Sequence, residues 1–200
     1  HIGHYTGLMY LGKEAMNAAE VPIYVMPRMD TFLTNNGPWD QLINNKNIAL
    51  QPISTEEAIP LTGELRVIPM RVPHRDEYSE TVGYRIIGPS KSALFIPDID
   101  KWGKWNRSLV EMIKQVDYAF IDATFYDGKE IGNRDISTIP HPFVIESMDL
   151  LSDINATEKA KVYFIHFNHT NPLLNTSSKE AARVYKNGFK IARVGDVFGL

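Results

Sequence analysis

Apolar positions recur along this chain with two different periods. Leu8, Leu11, Ala15 and Ala18 fall on one face at helical spacing and predict a helix over 6–19. Pro22 ends that pattern, and a short buried strand is predicted over 23–25, closed by Pro27. A second helix over 28–35 precedes the turn-forming run Asn-Asn-Gly-Pro-Trp-Asp. The runs at 48–53, 64–70, 82–87 and 93–96 read as strands, separated by Pro, Gly and Ser. Beyond them the pattern predicts helix over 108–115, strand over 118–121, and helix over 143–154 with Pro142 near its first turn. Strand at 161–165, helix at 178–187 stopped by Gly188, and a last strand at 189–197 complete the series. No repeat, low-complexity tract or linker intervenes, so residues 1–200 predict a single α/β domain with several adjacent strands in its first half.

What stands at the strand ends changes the picture. His74 follows the run Glu-Leu-Arg-Val-Ile-Pro-Met-Arg-Val, Asp98 follows Ala-Leu-Phe-Ile, Asp122 follows Tyr-Ala-Phe-Ile, and His166 follows Val-Tyr-Phe-Ile. The other four histidines are His1 and His4 in the opening His-Ile-Gly-His-Tyr-Thr-Gly-Leu, His141 before Pro142, and His169 in the turn after His166. Histidine is the commonest metal-ligating side chain, and aspartate oxygen often completes such a site. Strand ends are rigid enough to hold ligands to a metal's geometry, and in open α/β sheets the working groups gather at one edge. Convergence of these residues on one sheet edge is therefore expected.

Composition narrows the classes. Two hundred residues at 44% hydrophobic suit one globular core. A net charge of −3 provides no basic footprint for phosphates, which argues against nucleic acid as a partner. The absence of cysteine excludes disulfides, thiolate metal sites and a cysteine nucleophile. No apolar run approaches the ~20 residues of a membrane-spanning helix. A small-molecule substrate is the partner expected, with a homodimer the assembly left open. A cytoplasmic location is expected, with export left open because the chain begins inside a motif.

The ordered motifs resemble the metallo-β-lactamase-fold hydrolases, and within that superfamily most resemble the pyrroloquinoline-quinone biosynthesis protein B group. Landmarks are shared with tRNA 3′-processing endonucleases and cyclic phosphodiesterases. The superfamily signature H-x-H-x-D-H followed by Gly-Leu fits His1-Ile2-Gly3-His4-Tyr5-Thr6-Gly7-Leu8, with its first two positions expected before the chain starts. The resemblance implies a four-layer αββα sandwich, with N-terminal strands missing here, and places metal ligands at His1, His4, His74, Asp98 and His166. His74 precedes the Gly83-Tyr84-Arg85 strand as in the family, and Asp98 takes the place of the aspartate that bridges two ions and orients the attacking water. The segment Asp122-Ala123-Thr124-Phe125 with His141 matches the pair that relays a proton to the leaving group in the resembling nucleases and phosphodiesterases.

Gly3 stands where the family has an aspartate for the second ion, so one tight ion is expected and a second that is weaker, different or missing. Zinc is the metal implied first, with iron or manganese as alternatives. Three functions compete: a metal-dependent hydrolase of an ester, phosphodiester or lactam-like bond; an iron-dependent oxidoreductase or cofactor-biosynthesis enzyme; and a metal-binding module without catalysis. His169 is read as a residue behind the ligands or facing substrate, and equally as turn chemistry. Trp102 and Trp105, close after Asp98, are the aromatics expected to face substrate.

Overall fold

A computed structural model describes residues 1–132 and 139–200. The chain divides into two compact units, His1–Glu57 with Arg75–Thr81, and Ala58–His74 with Val82–Leu200. In the first unit, α1 (Ile2–Tyr5) leads into a 3-10 turn at Thr6–Leu11. Two parallel strands follow, β1 (Val21–Val25) and β2 (Ile48–Pro52), linked through α2 (Pro27–Asn35) and α3 (Trp39–Asn44). Val25, Leu33, Leu42 and Ile48 are buried there. The helix expected over 6–19 does not form. Asn17 and Glu20 take left-handed backbone (φ 44° and 48°), and Ala15, one of the four expected apolar contacts, is exposed. Gly12, a poor helix residue for entropic reasons, takes extended backbone (φ −65°, ψ 170°) and ends the helical run at Leu11.

The second unit is built on one seven-stranded sheet. Its strands are β3 (Ile59–Pro60), β4 (Arg66–Arg71), β5 (Val82–Ile87), β6 (Ser92–Ile96), β7 (Tyr118–Asp122), β8 (Val162–Ile165) and β9 (Lys190–Ile191), neighbours in that order. β3 to β6 pair antiparallel, and β6 to β9 pair parallel. Because β4 and β6 are each antiparallel to β5, they run the same way. The C-terminal ends of β4, β6, β7 and β8 therefore share one edge, which is the convergence expected from the strand-then-ligand pattern. Close pairing of β5 with β6 requires Gly83, whose added Cβ would stand 2.9 Å from Ile96 Cγ1.

One face of the sheet presents Leu94, Ile96, Ala119, Ile121, Val162 and Phe164 to the core. The helices α4 (Leu109–Lys114), α5 (Val144–Leu150) and α7 (Lys179–Lys186) bury Ile113, Val144 and Val184 in the same cluster, and α6 (Ala156–Lys159) precedes β8. Ser108 and Ser178 cap α4 and α7 through their hydroxyls, which satisfies backbone N–H groups that have no partner inside the helix. The opposite face carries Tyr118, Phe120 and Tyr163, with Phe198 packed on them at ring separations of 4.8–5.4 Å. The last strand is two residues long and not the nine expected. A turn at Arg193–Asp196, with Gly195 at φ 94°, ends the pairing.

Candidate metal centre

At the shared edge, His74 lies three residues past β4 and Asp98 two past β6; Asp122 closes β7, and His166 directly follows β8. The Nε2 of His74 faces Asp98 Oδ1 at 2.9 Å, and its Nδ1 faces Asp100 Oδ1 at 3.2 Å. Asp100 is itself held by Lys104 at 2.8 Å. With the Nδ1 proton donated to Asp100, the His74 lone pair points at a carboxylate oxygen. Two acceptors stay that close only with a cation between them, either a proton or a metal ion. Ligand atoms at ~2.0–2.2 Å from one ion stand about 2.8–3.6 Å apart between right-angled and tetrahedral arrangements, so the spacing suits a divalent metal. Without one, the proton occupies this place. Burial, the largest influence, would lower the His74 pKa, yet Asp98 and Asp100 together raise it above the ordinary value. At Asp98 burial works upward, but the bond from His74 and the neighbouring histidines hold its carboxyl below the usual range.

Asp122 has a different task. It is fully buried, and four groups occupy its two oxygens. Thr124 N and Thr124 Oγ1 donate to Oδ1 at 2.8 and 2.7 Å, and Ile99 N and His141 Nδ1 approach Oδ2 at 3.1 and 2.8 Å. A carboxylate so fully engaged is an anchor, even though Asp98, Asp122 and His141 are close enough together to be considered as a ligand group. Burial raises its pKa, and the bonds from His141, His166 and Thr124 outweigh that, leaving it below the ordinary value. His141 Nδ1 also stands 3.3 Å from Asp98 Oδ1 and 3.1 Å from Thr124 Oγ1. His166 takes a left-handed backbone (φ 63°), and its Nδ1 lies 2.9 Å from Thr124 Oγ1. Asp122, 3.7 Å from that nitrogen, raises the His166 pKa.

The structure thus brings together His74, Asp98, Asp122, His141 and His166. His1 and His4 lie in the first unit, where their rings are 4.5 Å apart. His169 is exposed in its turn. The tryptophans depart from expectation. Trp105 is buried in the core with its indole N–H on Arg71 O at 3.0 Å, and Trp102 packs against the same core and donates to Ser147 Oγ at 2.8 Å. Both indoles have a polar partner within the fold, so their place after Asp98 reflects packing. Sequence reasoning missed Asp100, Thr124 and Asn171. Asp100 had a signal in the alternation Asp98-Ile99-Asp100. Thr124 and Asn171 had none, because they act through a hydroxyl and a buried amide that resemble ordinary turn residues.

Residues 1–167 match the family model described as the Beta-lactamase superfamily domain, and the chain belongs to that family. Its fold is the metallo-β-lactamase fold. The structure of Zn²⁺-bound PqqB from Methylobacterium extorquens matches with a TM-score of 0.77 at 23% identity, covering 100% of this chain and 68% of that one. A diphosphatase from the PhnP family matches at 0.56 and 21% identity, covering 96% and 64%. Coenzyme PQQ synthesis protein B of Acinetobacter baumannii (strain ACICU) is 23% identical over 212 residues, 96% of this chain and 68% of that protein. Within the superfamily the chain is PqqB-like, as its motifs imply. Among the described residues, no helix is long and apolar enough to cross a membrane.

Proposed function

We propose that the chain is a divalent-metal-dependent hydrolase acting on a small molecule through an ester, phosphodiester or lactam-like bond. One observation carries this reading: His141, fixed by the buried Asp122 at 2.8 Å, stands beside the Asp98 oxygen that faces His74. In this reading His74 and Asp98 would hold one ion, His166 and Asp98 a second, and Asp100 orients the His74 ring. His1 and His4 are assigned as ligands by their motif. When bound, the ion supplies Lewis acidity and makes water a competent nucleophile near neutral pH. His141, with Nδ1–H directed to Asp122, keeps Nε2 to carry a proton to the departing oxygen or nitrogen. An oriented acid of this kind contributes roughly 10² to 10⁴ in rate. Zinc is the metal proposed, supported by the zinc-bound PqqB whose fold this chain shares.

A second reading, a step in cofactor synthesis, is supported by the similarity to Coenzyme PQQ synthesis protein B, and iron in the site would mark it as an oxidoreductase. Metal analysis of the chain purified without a histidine tag separates the two, combined with assays on bis-p-nitrophenyl phosphate, p-nitrophenyl acetate and a chromogenic lactam. Zinc or manganese with hydrolysis that fails in His141→Ala supports the hydrolase. Iron with oxygen consumption and no hydrolysis replaces it with the second reading. No metal, even after adding it back, leaves a binding module and refutes both.

A further inference from the structure

Thr124 carries no charge, yet its hydroxyl lies within hydrogen-bond distance of three of the site's ionisable groups. Oγ1 is 2.7 Å from Asp122 Oδ1, 2.9 Å from His166 Nδ1 and 3.1 Å from His141 Nδ1. A hydroxyl has one proton to give and two lone pairs to receive with. Asp122 is ionised and can only accept, and its contact is the shortest of the three, so the hydroxyl proton goes there. His141 Nδ1 has a better acceptor in Asp122 Oδ2 at 2.8 Å and sends its proton to that oxygen. One donor remains to fill the Thr124 lone pairs at short range, which is the Nδ1–H of His166. A neutral imidazole with its proton on Nδ1 has its lone pair on Nε2.

We propose that Thr124 is the positioning residue that fixes both the ring orientation and the tautomer of His166, and joins it through Asp122 to His141 in one chain of hydrogen bonds. The backbone around it is built for this. Asn171, 2% exposed, donates Nδ2 to Ala123 O at 2.7 Å and Thr124 O at 3.2 Å, and Asn168 N donates to Thr124 O at 2.9 Å. The turn carrying His166 is therefore pinned to the same residue whose hydroxyl holds its ring. Left-handed backbone at a non-glycine residue is costly and persists only where its surroundings over-determine it. Here they do so from both the main chain and the side chain.

The assignment of a tautomer stands on hydrogen bonding alone, whereas its consequence for zinc rests on the ligand role proposed above for His166. The test uses the full chain. Long-range ¹⁵N–¹H correlation spectra of the metal-free protein, at a pH where the rings are neutral, should show His166 protonated on Nδ1. Finding the proton on Nε2 in the unaltered chain overturns the proposal without any variant. Thr124→Val should release the tautomer to a mixture, and Thr124→Ser should restore it; an unchanged tautomer in Thr124→Val, or no rescue by serine, overturns the proposal too. Competition titration with zinc alone should give about 10- to 100-fold weaker binding in Thr124→Val and recovery in Thr124→Ser. A released tautomer with unchanged zinc affinity upholds the positioning and removes His166 from the ligand set instead.

Discussion

The chain puts histidines on two kinds of support. His1 caps and His4 lies within a single helical turn that buries no residue, and their rings stand 4.5 Å apart. His74, His141 and His166 belong to a unit in which strand ends, a buried carboxylate and a threonine hydroxyl fix each ring. A four-residue helix has one hydrogen-bonded turn and little cooperativity, so the turn by itself places its side chains with little precision. A strand inside a seven-stranded sheet is held on both sides, and its end can aim a ligand before any ion arrives. The same residue type is thus preorganised in one region and responsive in the other.

The largest effect expected on that contrast comes from Asp122. Asp122→Ala removes the acceptor for Ile99 N, Thr124 N and Oγ1, and His141 Nδ1 together. Loss of one partner from a buried charged network costs about 3–5 kcal/mol, to be read from urea denaturation of the metal-free chain. Its carboxyl titrates below the ordinary value in the folded chain. The stabilisation it provides is therefore fully present above about pH 4 and lost as pH falls through the lower folded pKa. Asp122→Ala should flatten that acid limb. A cost under about 1 kcal/mol would show that the network is not the source of rigidity.

His141→Ala should retain metal and fold while lowering turnover by about 10²–10⁴. Loss of metal in this variant would move His141 among the ligands and leave the proton-carrying role empty. Asp100→Ala acts one step further out. His74 keeps its contact with Asp98 but loses the carboxylate on its other nitrogen, and zinc affinity should fall by about 10- to 100-fold. Unchanged affinity would show that the loop after β4 alone orients the ring.

The legibility of these regions in the sequence follows the same division. Strand periodicity located β5 at its observed bounds and β6, β7 and β8 to within a residue, because alternation and β-branching report burial directly. The ligand at each strand end was visible for the same reason. Direction was not: whether β4 runs with β6 depends on the turns that join them through β5, which no single run of residues encodes. The helix expected over 6–19 stops after Leu11 because apolar spacing alone does not include the cost of Gly12, whose backbone is extended. Thr124, which contacts Asp122, His141 and His166, stands in the sequence only as one member of the Asp122–Phe125 segment, since a hydroxyl's role depends on which groups the fold brings to it.

The smallest structural effect is expected at Gly3, and it tests the other half of the comparison. An added Cβ there meets nothing nearer than the His1 ring at 3.4 Å, an ordinary contact, and the residue is exposed. Gly3→Asp should therefore change stability by no more than about 0.5 kcal/mol. Its consequence should appear in metal content instead, with zinc per chain rising toward two as an anionic oxygen returns to the opening motif. If the new carboxylate costs well over 1 kcal/mol, the first turn is as tightly specified as the strand ends and the contrast between the two supports fails. If stability is unchanged and zinc content is unchanged as well, the first turn is permissive but the missing carboxylate is not what limits the second ion.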